Sequence, residues 1–321
     1  MRMHPTWCFS LLFTGGKIRK TTTKAPVMSL FDYIEPVFRP PSEGRSLILQ
    51  VTNGCSWNNC TFCDMYTQPQ KKFRAKKEEE VIEELQEAAA LGPRFEKIFL
   101  ADGDAMVLSS RKLITILEAI KHYTPWVKRV GAYCLPRNVR KKSVDELQQM
   151  RDLGLGILYV GAESGDDEVL QFINKGETYQ STLDALVKIK QAGIKSSVMI
   201  LNGMGGVKYS EQHARNSALL MNDAQPDYLS TLVVSYPMGD ERVKQGFNGE
   251  YQLPNQLQLF KELRLLINTL ELKNTVFRSD HASNYLPLKG NLGEDKAAML
   301  AQLDDAMAGR IALRQEWQRG L

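Results

Sequence analysis

Short apolar runs alternate with longer amphipathic stretches between Ser46 and about Ser235. Six of these runs have the length of strands and are apolar throughout, as strands covered on both faces must be. They are residues 47–51, 97–101, 130–134, 157–160, 197–201 and 229–234. Because an amphipathic stretch follows each run, the strands are expected to be parallel and joined by crossover helices. The pattern predicts an α/β fold, a partial (β/α)6 TIM-like barrel.

The stretches between the runs carry helix signals. Val81 and Leu85 lie at helical spacing on the inner face of a predicted helix at residues 77–91. Ser143 with Glu146 three residues later has the form of a capping box at the start of another helix. Further helices are predicted at residues 111–123, from about residue 166, at 181–192 and at 210–222.

Beyond the sixth run the pattern changes. Residues 257–270 are predicted to be helical, 275–277 form a candidate strand, and 294–318 form one or two closing helices. We therefore divide the chain into a barrel at residues 28–235 and a C-terminal extension at 236–321. The extension is expected to form a helical cap that covers the barrel on its substrate side.

The first 27 residues lie outside this pattern. They combine a short apolar run at residues 7–13 with a basic stretch at 17–24 and show no strand or helix period. Met28 reads as a natural start, so residues 1–27 are predicted to be disordered or a non-native extension. The alternative is that residues 7–13 pack across the open barrel as a lid.

Composition narrows the class of protein. With 321 residues and 43% hydrophobic positions, the chain can bury a large core in one domain. The net charge of +4 is a mild excess that gives no strong case for a nucleic-acid partner. No apolar run approaches the roughly 18 residues of a membrane span, and closely spaced cysteines suit a reducing compartment. The predicted location is the cytoplasm.

Polar side chains follow the predicted strands at their carboxyl ends. Such loops carry the active site in folds of this kind, so these residues are expected to meet at one edge of the sheet. They include Asp102, Gly103 and Asp104 after the second strand, Cys134, Arg137 and Asn138 after the third, Glu163 and Ser164 after the fourth, and residues 202–206 after the fifth.

The most specific signal follows the first strand. Cys55, Cys60 and Cys63 lie within nine residues, and the whole chain has five cysteines. Three thiolates on one loop can ligate three irons of a cubane cluster and leave the fourth iron open. The alternative is zinc, with Asp64 or a distant histidine as fourth ligand. No histidine lies nearby, and the usual zinc pattern pairs two such clusters.

These residues resemble the radical S-adenosylmethionine (SAM) superfamily over about 60% of the chain. The first gap between cysteines has four residues where the family usually has three, and Phe62 is the aromatic residue usual before the last cysteine. Asp102, Gly103 and Asp104 stand where the family has a Gly-Gly-Glu-like turn. Residues 158–165 and 174–178 resemble the branch that includes oxygen-independent coproporphyrinogen oxidases and methylthiotransferases.

The resemblance implies the cofactors and their contacts. It implies a [4Fe-4S] cluster on the three cysteines, SAM on the open iron, and a 5′-deoxyadenosyl radical that abstracts hydrogen from the substrate. The turn at residues 102–104 would accept hydrogen bonds from the SAM ammonium. Glu163 and Ser164 would hold the ribose or the amino-acid end, and Lys175 would pair with the SAM carboxylate. Backbone of residues 200–203, including Ile200 and Asn202, would carry the adenine edge.

Several of these residues have a plainer interpretation. Asp102 and Asp104 could be turn formers, Glu163 and Lys175 solvated surface charges, and Cys134 a small buried hydrophobe. The basic residues 71–77 are interpreted as a solvated loop, although Arg74 could face SAM or an anionic substrate. His281 is the candidate catalytic residue on the substrate side. Its alternative role is structural.

The sequence thus predicts a radical SAM enzyme that acts on a small organic substrate and receives electrons from an external donor such as flavodoxin or ferredoxin. Only Cys8 and Cys134 remain for a second cluster, which argues against methylthiotransferase chemistry. The alternatives are a radical enzyme that modifies tRNA or peptides, and a non-enzymatic protein that binds metal or carries electrons. The sequence does not identify the substrate.

Overall fold

The computed structural model describes Phe31 and residues 33–319. The predictions for residues 1–27, both the disordered extension and the lid, lie outside the described residues. No helix in the described part is long and apolar enough to cross a lipid bilayer.

Two sheets account for the strands of the described chain. The strands are β1 (Leu47–Gln50), β2 (Thr52–Asn53), β3 (Arg74–Ala75), β4 (Lys97–Ala101), β5 (Arg129–Cys134), β6 (Leu155–Glu163), β7 (Lys195–Asn202), β8 (Tyr228–Val233), β9 (Val276–Ser279) and β10 (Leu288–Asn291). The large sheet has the order β1-β4-β5-β6-β7-β8-β9-β10, and β2 pairs with β3 in a small antiparallel sheet. Pairing is parallel from β1 to β9, so the six predicted strands and their direction are confirmed.

Crossover helices connect the parallel strands. The helices are α1 (Glu78–Ala90), α2 (Ser110–Tyr123), α3 (Pro136–Arg140), α4 (Val144–Asp152), α5 (Asp167–Phe172), α6 (Tyr179–Gln191), α7 (Ser210–Ala224), α8 (Glu241–Gly246), α9 (Gln256–Thr269) and α10 (Lys296–Met307). The capping box of α4 is confirmed, because Glu146 N donates to Ser143 Oγ at 3.0 Å and Ser143 N donates to Glu146 Oε2 at 2.7 Å.

Each strand of the large sheet is buried on two faces. The outer face packs against the helices and includes Leu49, Leu100, Leu158, Val198, Leu229 and Phe277. The inner face carries Ile48, Phe99 and Tyr159, which form a separate cluster. The side-chain alternation of β-strands therefore divides the core into a helix-facing layer and a barrel interior. Within the described residues β1 and β10 are the two edges of the sheet, which makes the barrel partial.

The C-terminal region contributes more than the expected helical cap. β9 joins the sheet parallel to β8, β10 returns antiparallel to β9, and α9 and α10 continue the helical layer beside α7. The candidate strand at residues 275–277 overlaps β9. β10 was not predicted from the sequence because Lys289, Gly290 and Asn291 are not apolar. Such residues are common in a strand at a sheet edge.

Candidate active site

The three cysteines lie on the segment of residues 54–73 between β2 and β3, which we call the cysteine loop. Its two ends are held together, because Asn53 Nδ2 donates to Gln70 O at 2.7 Å and to Lys72 O at 3.0 Å. Gly54 has a φ of 71°, and a Cβ there would lie 2.0 Å from the carbonyl oxygen of Lys71. Only glycine fits this closure. Arg74 is exposed in β3.

Cys55, Cys60 and Cys63 are free thiols with intermediate burial. Burial raises the pKa of all three, to about 12 for Cys63. The thiols are therefore protonated without a metal, and binding of iron must displace their protons.

The donor set bears on which metal the loop fits. Three thiols on one loop suit a cubane cluster, in which each of three irons takes one thiolate. A zinc site would need a fourth ligand beside them. No group of three or more His, Cys, Asp or Glu side chains arranged to hold a single metal ion is found among the described residues.

A second segment, after α5, holds the cysteine loop in place. Trp57 Nε1 donates to Asn174 O at 2.8 Å, and Asn174 Nδ2 donates to Asn59 O at 3.1 Å. The guanidinium carbon of Arg137 lies 3.9 Å from the centre of a Trp57 ring. Phe62 is partly buried against the apolar cluster beneath this segment. The stretch at 174–178 thus contacts the cysteine loop directly.

Lys175 and Glu163 form an ion pair beside the cysteines. Lys175 Nζ lies 3.1 Å from Glu163 Oε1, and the two side chains are 4% and 12% exposed. Burial lowers the pKa of Lys175, but the charge of Glu163 and its hydrogen bond to the ammonium outweigh burial, and the pKa is raised. Lys175 therefore stays protonated. The surface-charge interpretation is wrong for Lys175, which the structure buries.

The two aspartates in the turn after β4 bind different partners. Asp104 accepts hydrogen bonds from Ser56 on the cysteine loop and from Asn138. Asp102 instead pairs with Lys71 and accepts from Tyr66 Oη at 3.0 Å. Burial raises the pKa of both aspartates. Asp104 thus links the turn to the cysteine loop, while both carboxylate oxygens of Asp102 are engaged in the interior. Gly103 lies against the Tyr66 ring, since a Cβ there would be 2.5 Å from it.

The structure shows that Lys71 is buried, so the interpretation of residues 71–77 as a solvated loop is wrong for this residue. The basic residues 71–77 were expected to be solvated, yet Lys71 and Asp102 are 0% exposed. Lys71 Nζ also donates to the carbonyl oxygen of Ile34 at 2.9 Å. A lysine whose three donors can reach buried acceptors is able to leave water, and its partners are too far along the chain for a local pattern to reveal them.

Ser164 lies apart from the ion pair that precedes it. Its Oγ is 2.8 Å from His213 Nδ1 and accepts from Asp166 N at 3.0 Å. Glu163 has a φ of 65°, which is a left-handed backbone conformation. This conformation directs the side chains of Glu163 and Ser164 apart. The structure therefore does not bring the Ser164 hydroxyl together with Glu163 and Lys175.

The predicted adenine segment lies at the end of β7. Ile200 is buried in the outer core, while Asn202 Nδ2 donates to Leu259 O at 3.2 Å and Asn202 O accepts from Val234 N at 3.0 Å. Asn202 Oδ1 is buried with no hydrogen-bond partner among the described residues. The adenine contact itself stays a prediction.

His281 follows β9, at the same edge of the sheet as the cysteine loop. Its Nδ1 accepts from Ser283 N at 3.1 Å, and its carbonyl oxygen accepts from Arg314 Nη1 at 2.6 Å. Burial lowers the pKa of His281. These bonds give the ring a structural role in its turn, and a catalytic role stays a prediction.

Comparison with known proteins decides the family. Residues 49–217, just over half of the chain, match the Radical SAM superfamily. This chain belongs to the radical SAM superfamily. It is therefore an enzyme whose cofactors are a [4Fe-4S] cluster and SAM, and the resemblance read from its cysteines is confirmed.

Individual relatives are distant. The chain is 26% identical over 155 residues to a putative methylthiotransferase of Methanocaldococcus jannaschii, covering 47% of this chain and 34% of that protein. It is 21% identical over 220 residues to a heme chaperone of Bacillus subtilis, covering 66% and 56%. The structure of coproporphyrinogen III oxidase from Escherichia coli superposes with a TM-score of 0.53 at 16% identity, covering 70% of this chain and 51% of that one.

The first three curated relatives are matched over only 28% to 34% of their own length. The comparisons therefore concern a shared radical SAM core. The coproporphyrinogen oxidase structure supports the partial barrel.

Arg242 on α8 is a residue of this radical SAM enzyme that the sequence analysis missed. Its Nη2 donates to Cys60 O at 2.7 Å, and its Nη1 donates to Cys63 O at 3.1 Å and to Asp64 Oδ1 at 2.9 Å. One guanidinium, which lies far from the cysteines in the sequence, thus binds the backbone carbonyl groups of two of them. Backbone acceptors leave no trace in a sequence, so no motif could have identified this contact.

Two buried titratable side chains of the radical SAM fold lie below the strand ends. His213 Nε2 and Glu262 Oε1 are 3.8 Å apart, and Glu262 accepts from Gly203 N and binds Ser210 Oγ. Burial lowers the pKa of His213 to about 4 and raises the pKa of Glu262 to about 7. Both side chains are therefore neutral between these values.

Their contributions to stability have opposite signs. Folded His213 binds fewer protons than unfolded histidine between pH 4 and 6.5, so its contribution to stability rises with pH in that window. Folded Glu262 binds more protons than unfolded glutamate between pH 4.5 and 7, so its contribution falls as pH rises there. The two effects largely cancel in the intact protein.

We expect the stability of Glu262→Gln to show the pH dependence that comes from His213 alone. Glutamine can keep the hydrogen bonds of Glu262 but does not titrate. Between pH 5 and 7 the free energy of unfolding of the variant should gain about 2 kcal/mol relative to the intact protein. Urea unfolding of the two proteins across this range measures it. Parallel pH profiles would show that Glu262 does not titrate in this window.

Proposed function

We propose that this radical SAM enzyme uses a single cluster to generate a radical that abstracts hydrogen from a small organic substrate inside the partial barrel. The observation that carries the proposal is the position of the three cysteines. They lie at the carboxyl edge of the parallel strands, beside the buried ion pair of Lys175 and Glu163. This edge is the usual location of an active site in such sheets.

The bound cofactors supply one electron that cleaves SAM to methionine and a 5′-deoxyadenosyl radical, which takes hydrogen from the substrate. The protein supplies binding and orientation. Cys55, Cys60 and Cys63 would hold three irons of the cluster and would leave the fourth iron open for SAM.

Residues around the cysteine loop orient SAM. Protonated Lys175 is suited to pair with the SAM carboxylate, and Glu163 can accept from a hydroxyl or ammonium group. Gly103 allows the backbone to come close to the ammonium group, since it lacks a side chain. Asp104 keeps Ser56 in place and so fixes the start of the cysteine loop relative to the turn.

An aromatic surface covers the inner face below this edge. Phe99 lies 5.1 Å from Tyr133 and 6.0 Å from Tyr159 between ring centres. Tyr228 packs against the same cluster. Bulky rings at this depth exclude water from the space where a carbon radical would form, which protects it from side reactions.

An external one-electron donor completes the proposal. Lys72, Phe73 and Arg74 are exposed next to the closure of the cysteine loop. Two cations around an aromatic ring suit the acidic surface of a donor such as flavodoxin or ferredoxin.

Anaerobic reconstitution with iron and sulfide tests the proposed function. We expect a brown protein that converts SAM to 5′-deoxyadenosine when dithionite is added, while the same preparation of Cys63→Ala stays inactive. A colourless protein that binds one zinc ion would contradict the proposal. RNA bound to the purified protein would instead favour the tRNA-modifying alternative, and comparison of metabolites with and without the gene would identify a small substrate.

A further inference from the structure

The inner face of the sheet carries two adjacent cations on its last two strands. Arg278 on β9 and Lys289 on β10 are direct register partners. Their neighbours Phe277 and Leu288 are buried in the outer core, so the two cations lie on the opposite, inner face. Both side chains are exposed. We call them the basic pair.

The basic pair has no counter-ion within the described chain. Neither side chain forms an ion pair with residues 31 or 33–319, and Arg278 Nη1 donates only to the carbonyl oxygen of Phe277 at 3.1 Å. Like charges directly opposite each other on neighbouring strands are destabilising. The fold thus keeps an unfavourable arrangement that no internal contact offsets.

Other charges on this face are already engaged, lie at the opposite end of the strands as Lys97 and Lys195 do, or lie outside the strands. Glu163 is paired with Lys175, and Glu43 is paired with Arg129. Asp280 follows β9 and is exposed without an ion pair to the basic pair. An anion that enters the barrel would therefore meet the basic pair as the accessible cationic group on the inner face of β9 and β10.

A continuous row of residues joins the basic pair to the cofactor end of the site. Register partners across the sheet run from Gly161 through Met199 and Ser230 to Arg278 and then Lys289. With neighbouring strands about 4.8 Å apart, Arg278 lies about 14 Å from Gly161 along the curved sheet. We call this the inner row.

The inner row begins at the Lys175–Glu163 pair. A Cβ on Gly161 would lie 2.1 Å from Glu163 Oε1 and 3.4 Å from Lys175 Nζ. Between this end and the basic pair the row presents only a flexible thioether, Met199, and a hydroxyl, Ser230. The surface is therefore open to a ligand that is apolar or hydroxylated in its middle and anionic at one end.

We propose that Arg278 and Lys289 bind a carboxylate or phosphate group of the substrate, whose reacting carbon lies towards the Gly161 end of the inner row. This assignment rests on the proposed function, since the reacting carbon is defined by the radical. A guanidinium binds two oxygens of such a group at once, and an ammonium adds a point charge beside it. The substrate is thus an elongated organic acid or phosphate ester.

The test measures anion binding to the full-length, reconstituted enzyme saturated with SAM, which keeps the open iron occupied. Calorimetry at fixed ionic strength compares inorganic pyrophosphate with citrate, so the tighter probe distinguishes phosphate from carboxylate. The double variant Arg278→Met with Lys289→Met removes both charges. The matched control, Lys97→Met with Lys195→Met, removes two exposed lysines at the opposite end of the same sheet.

We expect the double variant to weaken binding of the preferred anion about tenfold or more, and the control to stay within about twofold. Equal binding by the double variant and the intact enzyme, or no binding of either anion to the intact enzyme, would overturn the assignment. Formation of 5′-deoxyadenosine from SAM without substrate is measured separately in the intact enzyme and in the control variant, where it should be the same. Its absence in the intact enzyme would contradict the proposed function while leaving the anion measurement interpretable.

Discussion

Replacing any one of Cys55, Cys60 and Cys63 by alanine will abolish the [4Fe-4S] cluster and cleavage of SAM. Three ligands are the minimum that holds the cluster and leaves one iron open, so no remaining thiolate can substitute for the lost one. Iron and sulfide content after anaerobic reconstitution, together with the 5′-deoxyadenosine assay, measures the effect. Circular dichroism should show an unchanged fold.

Cys134→Ala is the matched control for these variants. Cys134 lies at the end of β5, fully surrounded, with its Sγ donating to Leu135 O at 3.3 Å. Burial raises the pKa of its thiol, and it acts as a small apolar side chain. The variant should keep its cluster and its activity. Full iron content in any of the other three variants, or loss of the cluster in this one, would contradict the ligand assignment.

Lys71→Met will destabilise the protein by about 3–5 kcal/mol, because it leaves the buried carboxylate of Asp102 without its counter-charge. The remaining donors to that carboxylate, Tyr66 Oη at 3.0 Å and the Gly54 backbone, are uncharged. Chemical denaturation of the metal-free protein measures the change in the free energy of unfolding.

Lys72→Met provides the comparison for Lys71→Met. Lys72 is the next residue and is exposed, so its replacement should change the free energy of unfolding by less than about 0.5 kcal/mol. If both variants had the same stability, the ion pair would contribute nothing beyond an exposed lysine. In a double variant that also carries Asp102→Asn, part of the loss should be recovered, because no buried charge remains.

The parallel strands could be predicted, and the candidate site could be placed at their carboxyl edge, because both depend on local patterns. An apolar run of strand length followed by an amphipathic stretch specifies a βα unit, and parallel strands bring their carboxyl ends to one edge. The three cysteines needed only their spacing. β10 could not be found in this way, since its four residues have no apolar alternation of their own.

Side-chain roles within the site depend on distant partners and were harder to predict. Asp102 and Asp104 look equivalent in sequence, but the structure pairs Asp102 with Lys71 and directs Asp104 to Ser56. Whether a lysine is solvated or buried is decided by where its acceptor lies. Lys175 is buried because Glu163 reaches it from the end of β6.

Arg242 links the cysteine loop to a part of the chain that is synthesised much later. Its acceptors Cys60 and Cys63 precede it by 182 and 179 residues. At translation rates of roughly 5–20 residues per second, the ribosome completes the cysteines about 10–40 s before it completes Arg242. For that interval a nascent chain carries its three thiols without α8, and the guanidinium can bind the loop only once α8 has been made.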